Sequence, residues 1–488
     1  MQNYKLIEVL KSLDRKEIKR FGEFVASPYF NKNENVIRLF EAVSKYHPAF
    51  DNRNLTTEKL FKKLFPKDTY DYHKINNVIS DLYKISEKFL AMKHYEELVD
   101  SGDTRILNEL TGKKLYNIFK QKYKQINEIN EGAEYKDEVY WFNKYRLMAE
   151  YRINLFDLAP NTQLELMQEE FDRFLKYSLI KLLRFYSTMI HETRQNNVDY
   201  SLRMFEEALE FLEKNEKEKG GFEEPPILSV YKNSIYLLLK KERKYYDELV
   251  RLKNVYLNEF TLVDRRFIFV HLFGFIAHKL MTEGDYSYYI EAFEHHKESL
   301  ELGIQDESSM SYFEFVNFVK SACSVKEFEW AKQFVEKYKH VLPEEEMTNA
   351  LNFSYGTIEQ KSGNSEKALG FFAKTNFSNF IMKEQVKIIQ CRLLYELGMD
   401  EQALSAIDSF RHYLQREKLI TDDQRDLFYS FLKYLIQLIK IRESRGEKDF
   451  LFMVDKLRKD VTDLKLNIFG VRLWLLEQID ELVKQIPK

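Results

Sequence analysis

Turn-forming residues are scarce along this chain. Only 15 glycines and 8 prolines occur among its 488 residues. A fold rich in β-strands changes direction every few residues, and glycine and proline supply many of the backbone conformations that tight turns require. Long helices joined by short loops need far fewer of these residues. The scarcity therefore predicts an all-α fold.

A motif in the C-terminal half recurs at a nearly fixed spacing. Residues 354–373 read SYGTIEQKSGNSEKALGFFA, with small residues at Gly356 and Ala368. Residues 396–404 read ELGMDEQAL and repeat the second part of this motif, so that Ala403 follows Ala368 by 35 residues. Two weaker copies precede them, at residues 283–286 and 326–331. The motif resembles the tetratricopeptide family, whose repeat is about 34 residues long.

The resemblance implies a right-handed α-solenoid of antiparallel helix pairs. It extends over residues 230–412, and a capping helix is expected at 461–486. Small residues in such repeats let two helices cross closely, so we expect Gly356 and Ala368 to face each other across a tight crossing. Stacked pairs leave a concave wall lined by the first helix of each repeat, and such walls bind peptides or proteins.

Four candidate partner-binding residues follow from the same resemblance. In that family, the residue after the small residue of the first helix tends to point into the concave groove. Counting back twelve places from the alanine of each second helix, or from the residue in its place, gives the position of the small residue, and the residue after it is the groove position; the four groove positions are His278, Lys320, Thr357 and Arg392. An arginine offers a bidentate fork to a carboxylate, so we expect the groove to prefer an acidic segment or a free C-terminal carboxylate. If these side chains are exposed, replacing Lys320 and Arg392 by Glu should abolish binding and leave the thermal melt nearly unmoved.

The first hundred residues read as a separate helical module. Asp14 and Glu17 have the spacing of a capping box, and Thr56 precedes a second amphipathic segment as a candidate N-cap. Further on, residues 213–226 combine charged residues with Gly-Gly and Pro-Pro, which is typical of a linker. We therefore divide the chain into an N-terminal helical module, a helical middle region and a repeat region, at residues 1–100, 101–220 and 221–488.

Positive and negative charges nearly balance along the chain. The 75 Lys and Arg against 78 Asp and Glu give a net charge of −3, so no overall field attracts nucleic acid or anionic lipid. The densest basic patch, residues 113–124, interleaves lysines with aromatic residues, but a helical wheel separates the two sets onto different faces. The most apolar stretch, residues 267–277, is too short to span a bilayer. We expect neither a membrane nor a nucleic acid as the main partner.

No recognised motif for catalysis or cofactor binding occurs. The chain has no Gly-rich phosphate loop and no GxSxG elbow, and Gln195 stands where the His191-Glu192 pair would need a second zinc-binding histidine. His271 and His278 share a helical face but have no third ligand nearby, and the adjacent His295 and His296 read as solvated or capping residues. We expect no catalytic residue, no metal and no cofactor.

These features favour a non-enzymatic interaction scaffold or regulatory adaptor, which binds a partner segment in a concave groove. The alternative is a nucleic-acid-linked regulator, in which the N-terminal module contacts DNA or RNA and the repeats sense a signal. A steep dependence of binding on salt would identify the alternative. Cys323 and Cys391 lie far apart and the N-terminus lacks an export signal, so we expect free thiols and a cytoplasmic location.

Overall fold

The computed structural model describes residues 4–100, 104–155, 160–196, 198–217, 222–305, 310–445 and 447–484. Within these ranges every regular element is helical, comprising 23 α-helices and four short 3-10 helices, with no strand. The prediction of an all-α fold is confirmed. None of the helices in these ranges combines the length and the apolar character needed to cross a bilayer.

The helices follow one another with short connections. The first ten are α1 Lys5–Ser12, α2 Arg15–Ala26, α3 Glu34–Val43, α4 Thr57–Leu64, α5 Tyr72–Asp100, α6 Arg105–Gly112, α7 Tyr116–Glu131, α8 Glu138–Leu155, α9 Pro160–Asn196 and α10 Phe205–Lys217. The next seven are α11 Pro226–Lys240, α12 Arg243–Tyr256, α13 Leu262–Thr282, α14 Ser287–Glu301, α15 Tyr312–Ser324, α16 Phe328–Tyr338 and α17 Glu344–Lys361. The last six are α18 Ser365–Ala373, α19 Phe380–Glu396, α20 Asp400–Arg416, α21 Asp422–Glu443, α22 Phe450–Thr462 and α23 Val471–Lys484.

At the predicted helix starts, side chains accept hydrogen bonds from backbone N–H groups that have no carbonyl partner within the first turn of the helix. At α2, a carboxylate oxygen of Asp14 accepts from the Glu17 N–H at 2.8 Å, and the Glu17 carboxylate accepts from the Asp14 N–H at 2.8 Å. At α4, the hydroxyl of Thr56 accepts from the Lys59 N–H. Both predicted N-caps are therefore confirmed.

The repeated turn of the C-terminal half has one hydrogen-bond pattern. At Gly363 and at Gly398, the glycine N–H donates to the carbonyl three residues back, and the next N–H donates to the carbonyl five residues back at 2.9 Å. Both glycines have a positive φ, 89° and 70°, which residues with a Cβ adopt at a cost. Just after α15, Lys326 has a φ of 66°, and the N–H groups of Lys326 and Glu327 donate to the carbonyls three and five residues back in the same way. The recurring sequence motif is thus a recurring helix end.

Neighbouring helices pack as pairs in this half of the chain, as in α13 with α14, α15 with α16, α17 with α18 and α19 with α20. The crossing of α17 and α18 is tight, since a Cβ placed on Gly356 would lie 3.0 Å from Cε2 of Phe372 and 3.2 Å from Cβ of Phe371. Ala368, on the same helix as these two residues, is fully buried. The two helices approach closely at Gly356, with phenylalanines as its nearest neighbours, whereas the predicted facing of Gly356 and Ala368 stays a prediction.

The chain forms two compact units. Unit 1 comprises Met1–Ala133 and Arg146–Met167, and unit 2 comprises Glu134–Tyr145 and Gln168–Lys488. Unit 1 has one core among α1–α5 and a smaller one among α6–α8, while unit 2 has three cores that succeed one another along the chain. The division at 1–100, 101–220 and 221–488 stays a prediction about sequence organisation. Residues 218–221 of the predicted linker lie outside the described ranges.

The capping helix predicted at 461–486 is interrupted. α22 ends at Thr462 and α23 begins at Val471, while Ile486 lies outside the described residues. Between the two helices, Phe469 and Gly470 have φ values of 51° and 70°, which a right-handed α-helix does not contain. A single continuous capping helix was therefore the wrong prediction for this segment.

Candidate functional site

The four predicted partner-binding residues lie on the first helices of four neighbouring pairs in unit 2: His278 on α13, Lys320 on α15, Thr357 on α17 and Arg392 on α19. His278 and Lys320 are half-buried. The expectation of exposed side chains is wrong for Thr357 and Arg392, which are only 5% and 8% exposed. Both follow directly after a fully buried or closely packed small residue, Gly356 or Cys391.

Two of the four show ordinary helix contacts. The hydroxyl of Thr357 donates to the carbonyl of Phe353 in its own helix, at 2.8 Å. A buried hydroxyl that already donates within its helix has little left to offer a partner. The carbonyl of His278 accepts from the hydroxyl of Thr282, which lies one turn later on α13. The part that these two residues play in partner binding stays a prediction.

Electrostatic interactions connect Lys320 and Arg392 through a third cation, Lys361, at the end of α17. Burial and, to a smaller extent, the positive charge of Lys361 together lower the pKa of Lys320 to about 8. The side chain of Lys361 is exposed, yet the surrounding protein lowers its pKa, as does the charge of Arg392. We call Lys320, Lys361 and Arg392 the basic cluster.

Arg392 has an unusual set of contacts for a buried cation. Its Nη1 donates to the carbonyl of Phe469 at 3.0 Å, and its guanidinium carbon lies 5.4 Å from the centre of a Trp474 ring. Within the described residues, its Nε and Nη2 are buried and have no hydrogen-bond partner. Burial lowers the pKa of Arg392 to about 10, so the side chain still carries its charge at neutral pH.

Two carboxylates lie near the basic cluster without pairing with Arg392. Glu396, one turn after Arg392 on α19, accepts a hydrogen bond from Trp474 Nε1 at 2.6 Å. Glu477 on α23 is exposed. The charges of both carboxylates favour the protonated form of Arg392 and so oppose the effect of burial on its pKa. The cluster keeps a surplus of positive charge, because it holds three cations beside these two anions.

A segment from the C-terminal end of the chain lies against the basic cluster. We call residues 467–474 the C-terminal strap. The Asn467 N–H donates to the Met281 carbonyl at 2.7 Å, and Nη2 of Arg472 donates to the Thr282 carbonyl at 3.2 Å. The carbonyl of Phe469 is the one that binds Arg392. The strap therefore connects the end of α13 with α19.

Sequence reasoning missed Lys361 and the strap. Lys361 lies four residues after Thr357, on the same face of α17, so extending the predicted column by one helical turn would have found it. No such signal exists for Trp474, because 78 residues separate it from Glu396 and no periodicity links the two. Contacts at this separation follow from the path of the whole chain.

His271 of α13 lies in the core, where it contacts α9. His271 is a satisfied core residue, as predicted, with Nδ1 2.8 Å from the Phe267 carbonyl and Nε2 2.9 Å from the Ser187 hydroxyl. Burial lowers its pKa to about 4, so it is neutral at pH 7. Among the described residues, no three His, Cys, Asp or Glu side chains lie close enough together to hold a metal ion.

The interpretation of His295 and His296 as solvated or capping residues is wrong. Nε2 of His295 lies 2.8 Å from the Tyr246 hydroxyl, and the ring of His296 stacks on Phe273 with 4.2 Å between ring centres. Burial lowers the pKa of His296 to about 3. These rings are part of the packing between α12, α13 and α14.

The basic patch at residues 113–124 belongs to an amphipathic helix, as the helical wheel predicts. Phe119 and Ile126 of α7 are buried, whereas Lys120 and Lys124 are exposed. Lys124 lies 3.9 Å from the carboxylate of Glu128. The lysines form a solvated face, and the aromatic residues do not join them to make a stacking surface.

Comparison with known proteins adds no family to this description. A scan against protein-family models, a search of curated proteins and a search of solved structures each gave no match.

Proposed function

We propose that unit 2 is a tetratricopeptide-like, right-handed α-solenoid that acts as a non-enzymatic interaction scaffold. Its concave side, built from α13, α15, α17 and α19, binds an acidic segment of a partner protein. The packing of neighbouring helix pairs and the identical helix ends at Gly363 and Gly398 support the repeat architecture. The basic cluster supports the preference for an acidic partner, through a side-chain carboxylate or a free C-terminus.

The free edge of Arg392 is the observation that carries this proposal. Its Nε and Nη2 lie on one edge of the guanidinium plane, where two N–H groups match the two oxygens of a carboxylate. A buried donor without a partner costs about 1–3 kcal/mol, and an acceptor on a bound partner would remove that cost. The bond from Nη1 to Phe469 and the ring of Trp474 fix the direction of this edge before binding.

Lys361 provides the cleanest test, because its exposed side chain can be changed without disturbing the core. Partners would be purified from the native cell with the full-length chain and identified by mass spectrometry. Each purified partner would then be titrated against the Lys361→Glu and Lys367→Glu variants. Lys367 is an exposed lysine on α18, outside the basic cluster, so its variant carries the same change in net charge.

We expect Lys361→Glu to weaken binding at least tenfold, which corresponds to about 1.4 kcal/mol. Lys367→Glu should bind like the unmodified chain. Both variants should unfold cooperatively at high temperature, with Lys361→Glu slightly less stable, because a Glu at the end of α17 opposes the helix dipole and a Glu in the first turn of α18 favours it. A folded Lys361→Glu variant would exclude unfolding as the cause. Equal binding by both variants would refute the proposal.

Replacing both Lys320 and Arg392 by Glu is a poorer test than the sequence suggested. The nearly unmoved melt expected for that variant assumed exposed side chains. Arg392 is buried and binds the carbonyl of Phe469, so its replacement would also leave a buried acceptor unpaired. Loss of binding in the double variant would therefore not separate recognition from stability.

A further inference from the structure

Charge is distributed unevenly along the chain. Residues 1–90, which contain the core among α1–α5, carry 17 Lys and Arg against 12 Asp and Glu, a net charge of +5. Residues 91–488 carry a net charge of −8. The overall charge of −3 therefore combines a basic module, which lies within unit 1, with an acidic remainder. Such an asymmetry is typical of proteins that bind a polyanion.

The helix α4 carries part of this surplus on its solvent face. Its apolar face is buried, as at Leu60 and Phe61, whereas Lys62 and Lys63 are exposed. Lys67 follows in the loop after the helix and is also exposed. Within the described residues, none of these three lysines forms an ion pair. Their charge is therefore available to a ligand.

The acidic residues around these lysines have local roles. Asp68 pairs with Lys74 at 2.6 Å. The carboxylate of Asp71 accepts from the backbone N–H of His73 at 2.8 Å, at the start of α5. A hydrogen bond from its own backbone N–H holds the pKa of Glu58 below the ordinary value. These carboxylates are engaged elsewhere, so they leave the three lysines unneutralised.

Two exposed tyrosines lie on the segment that returns along α4. The hydroxyl of Tyr70 donates to the hydroxyl of Thr57, the first residue of α4, at 3.1 Å. The ring of Tyr70 lies edge-on to Phe61, with 5.3 Å between ring centres, and Lys62 follows Phe61 directly. Tyr70 and Tyr72 are 45% and 54% exposed. Aromatic rings and lysines thus share one exposed surface here, in contrast to the patch on α7. We call this set the α4 surface: Lys62, Lys63, Lys67, Tyr70 and Tyr72.

We propose that the α4 surface binds single-stranded nucleic acid, with its lysines at the phosphates and its tyrosine rings stacked on bases. Lysines that neutralise phosphates release condensed counterions, which supplies affinity without regard to sequence. A base can stack on a protein ring when its own face is free, as it is in a single strand. This inference is independent of the proposed peptide groove, because it concerns unit 1 and a different class of ligand.

The dependence of binding on salt tests the role of the lysines. The probe is a fluorescein-labelled oligothymidylate of about 20 nucleotides, titrated with the full-length chain at several salt concentrations and followed by fluorescence anisotropy. The test variant replaces all three lysines of the α4 surface: Lys62→Gln, Lys63→Gln and Lys67→Gln. We expect it to bind more weakly and to lose about 2 from the slope of log affinity against log salt, since each phosphate contact to a single strand contributes about 0.7.

The control variant makes the same change in charge elsewhere in unit 1. It replaces three exposed lysines of the patch that includes α7: Lys113→Gln, Lys120→Gln and Lys124→Gln. Its salt slope should match that of the unmodified chain. Equal losses of slope in the two variants would overturn the assignment to the α4 surface.

Tyr72→Ala tests stacking, because it leaves the charge unchanged. We expect it to weaken binding at least about fivefold at every salt concentration, with the salt slope unaltered. Circular dichroism should show that all variants keep the helical content of the unmodified chain. Unchanged affinity in Tyr72→Ala, or tighter binding to a DNA duplex of the same length, would refute recognition of a single strand. A chain that binds phosphatidylserine vesicles and not the oligothymidylate would have a membrane as its partner, which would refute the proposal.

Discussion

The crossing at Gly356 gives the most quantitative test of the repeat architecture. In an ordinary helix interior, Gly→Ala stabilises the fold by about 0.5–1 kcal/mol, because glycine loses more backbone freedom on folding. At Gly356 the new Cβ would lie 3.0 Å from Cε2 of Phe372, a ring that is fully buried and has little room to shift. Overpacking of this kind costs about 1–3 kcal/mol.

Gly370 on α18 is the matched control, since a Cβ there would meet nothing within 4 Å. We expect Gly370→Ala to stabilise unit 2 and Gly356→Ala to be neutral or destabilising. The gain in helix propensity cancels between the two, so their unfolding free energies should differ by the overpacking cost alone, about 1–3 kcal/mol. Gly356→Leu should lower the unfolding free energy more than Gly356→Ala does.

Urea unfolding, monitored by tryptophan fluorescence, measures the unfolding free energy of unit 2. The chain has three tryptophans, and all of them lie in unit 2: Trp141, Trp330 and Trp474. The signal therefore reports the unfolding of unit 2 without a contribution from tryptophan in unit 1. Equal stabilisation by the two Ala variants would refute the close crossing.

Three further predictions concern buried groups. Arg392→Glu should lower the unfolding free energy of unit 2 by about 1–3 kcal/mol, because the Phe469 carbonyl loses its donor, and unchanged urea unfolding would contradict this. Burial raises the pKa of Glu384 to about 8 from its ordinary 4.5, so the stability that its protonated form contributes is complete below pH 4.5 and is lost as pH rises through about 8. The melting temperature of the unmodified chain should therefore fall across this range, and that of Glu384→Gln should fall less. Burial raises the pKa of Cys323 and Cys391 to about 12, so a thiol reagent should label both only after denaturation, and labelling of fewer than two would indicate a modified or bonded cysteine.

The features that the sequence predicted correctly depend on local interactions. The capping box at Asp14 needs residues three apart, and the helix ends at Gly363 and Gly398 need one glycine and the carbonyls of the preceding turn. Such contacts are fixed by the sequence around them, so their spacing is visible in the chain itself. The small residue at Gly356 is similar, because the partner helix α18 follows it directly.

The exposure of the predicted site could not be predicted in the same way. A repeat pattern indicates which side of a helix carries Arg392, but it does not indicate what covers that side. The cover is Phe469 and Trp474, which lie beyond the repeats and reach Arg392 only because the segment between α22 and α23 returns to α19. The left-handed Phe469 that makes this return has no sequence signal of its own, apart from the glycine that follows it.

The basic cluster therefore combines two kinds of cation that respond differently to change. Arg392 is part of the packing, so its charge is paired with the strap and its loss affects stability as well as recognition. Lys361 is exposed and close enough to feel the charge of Arg392, so it contributes to the field of the site with little effect on the core. Arg392 fixes the direction in which an oxyanion must approach, while Lys361 contributes attraction without fixing geometry. Substitution of Lys361 should thus change affinity with little effect on stability, and substitution of Arg392 should change both.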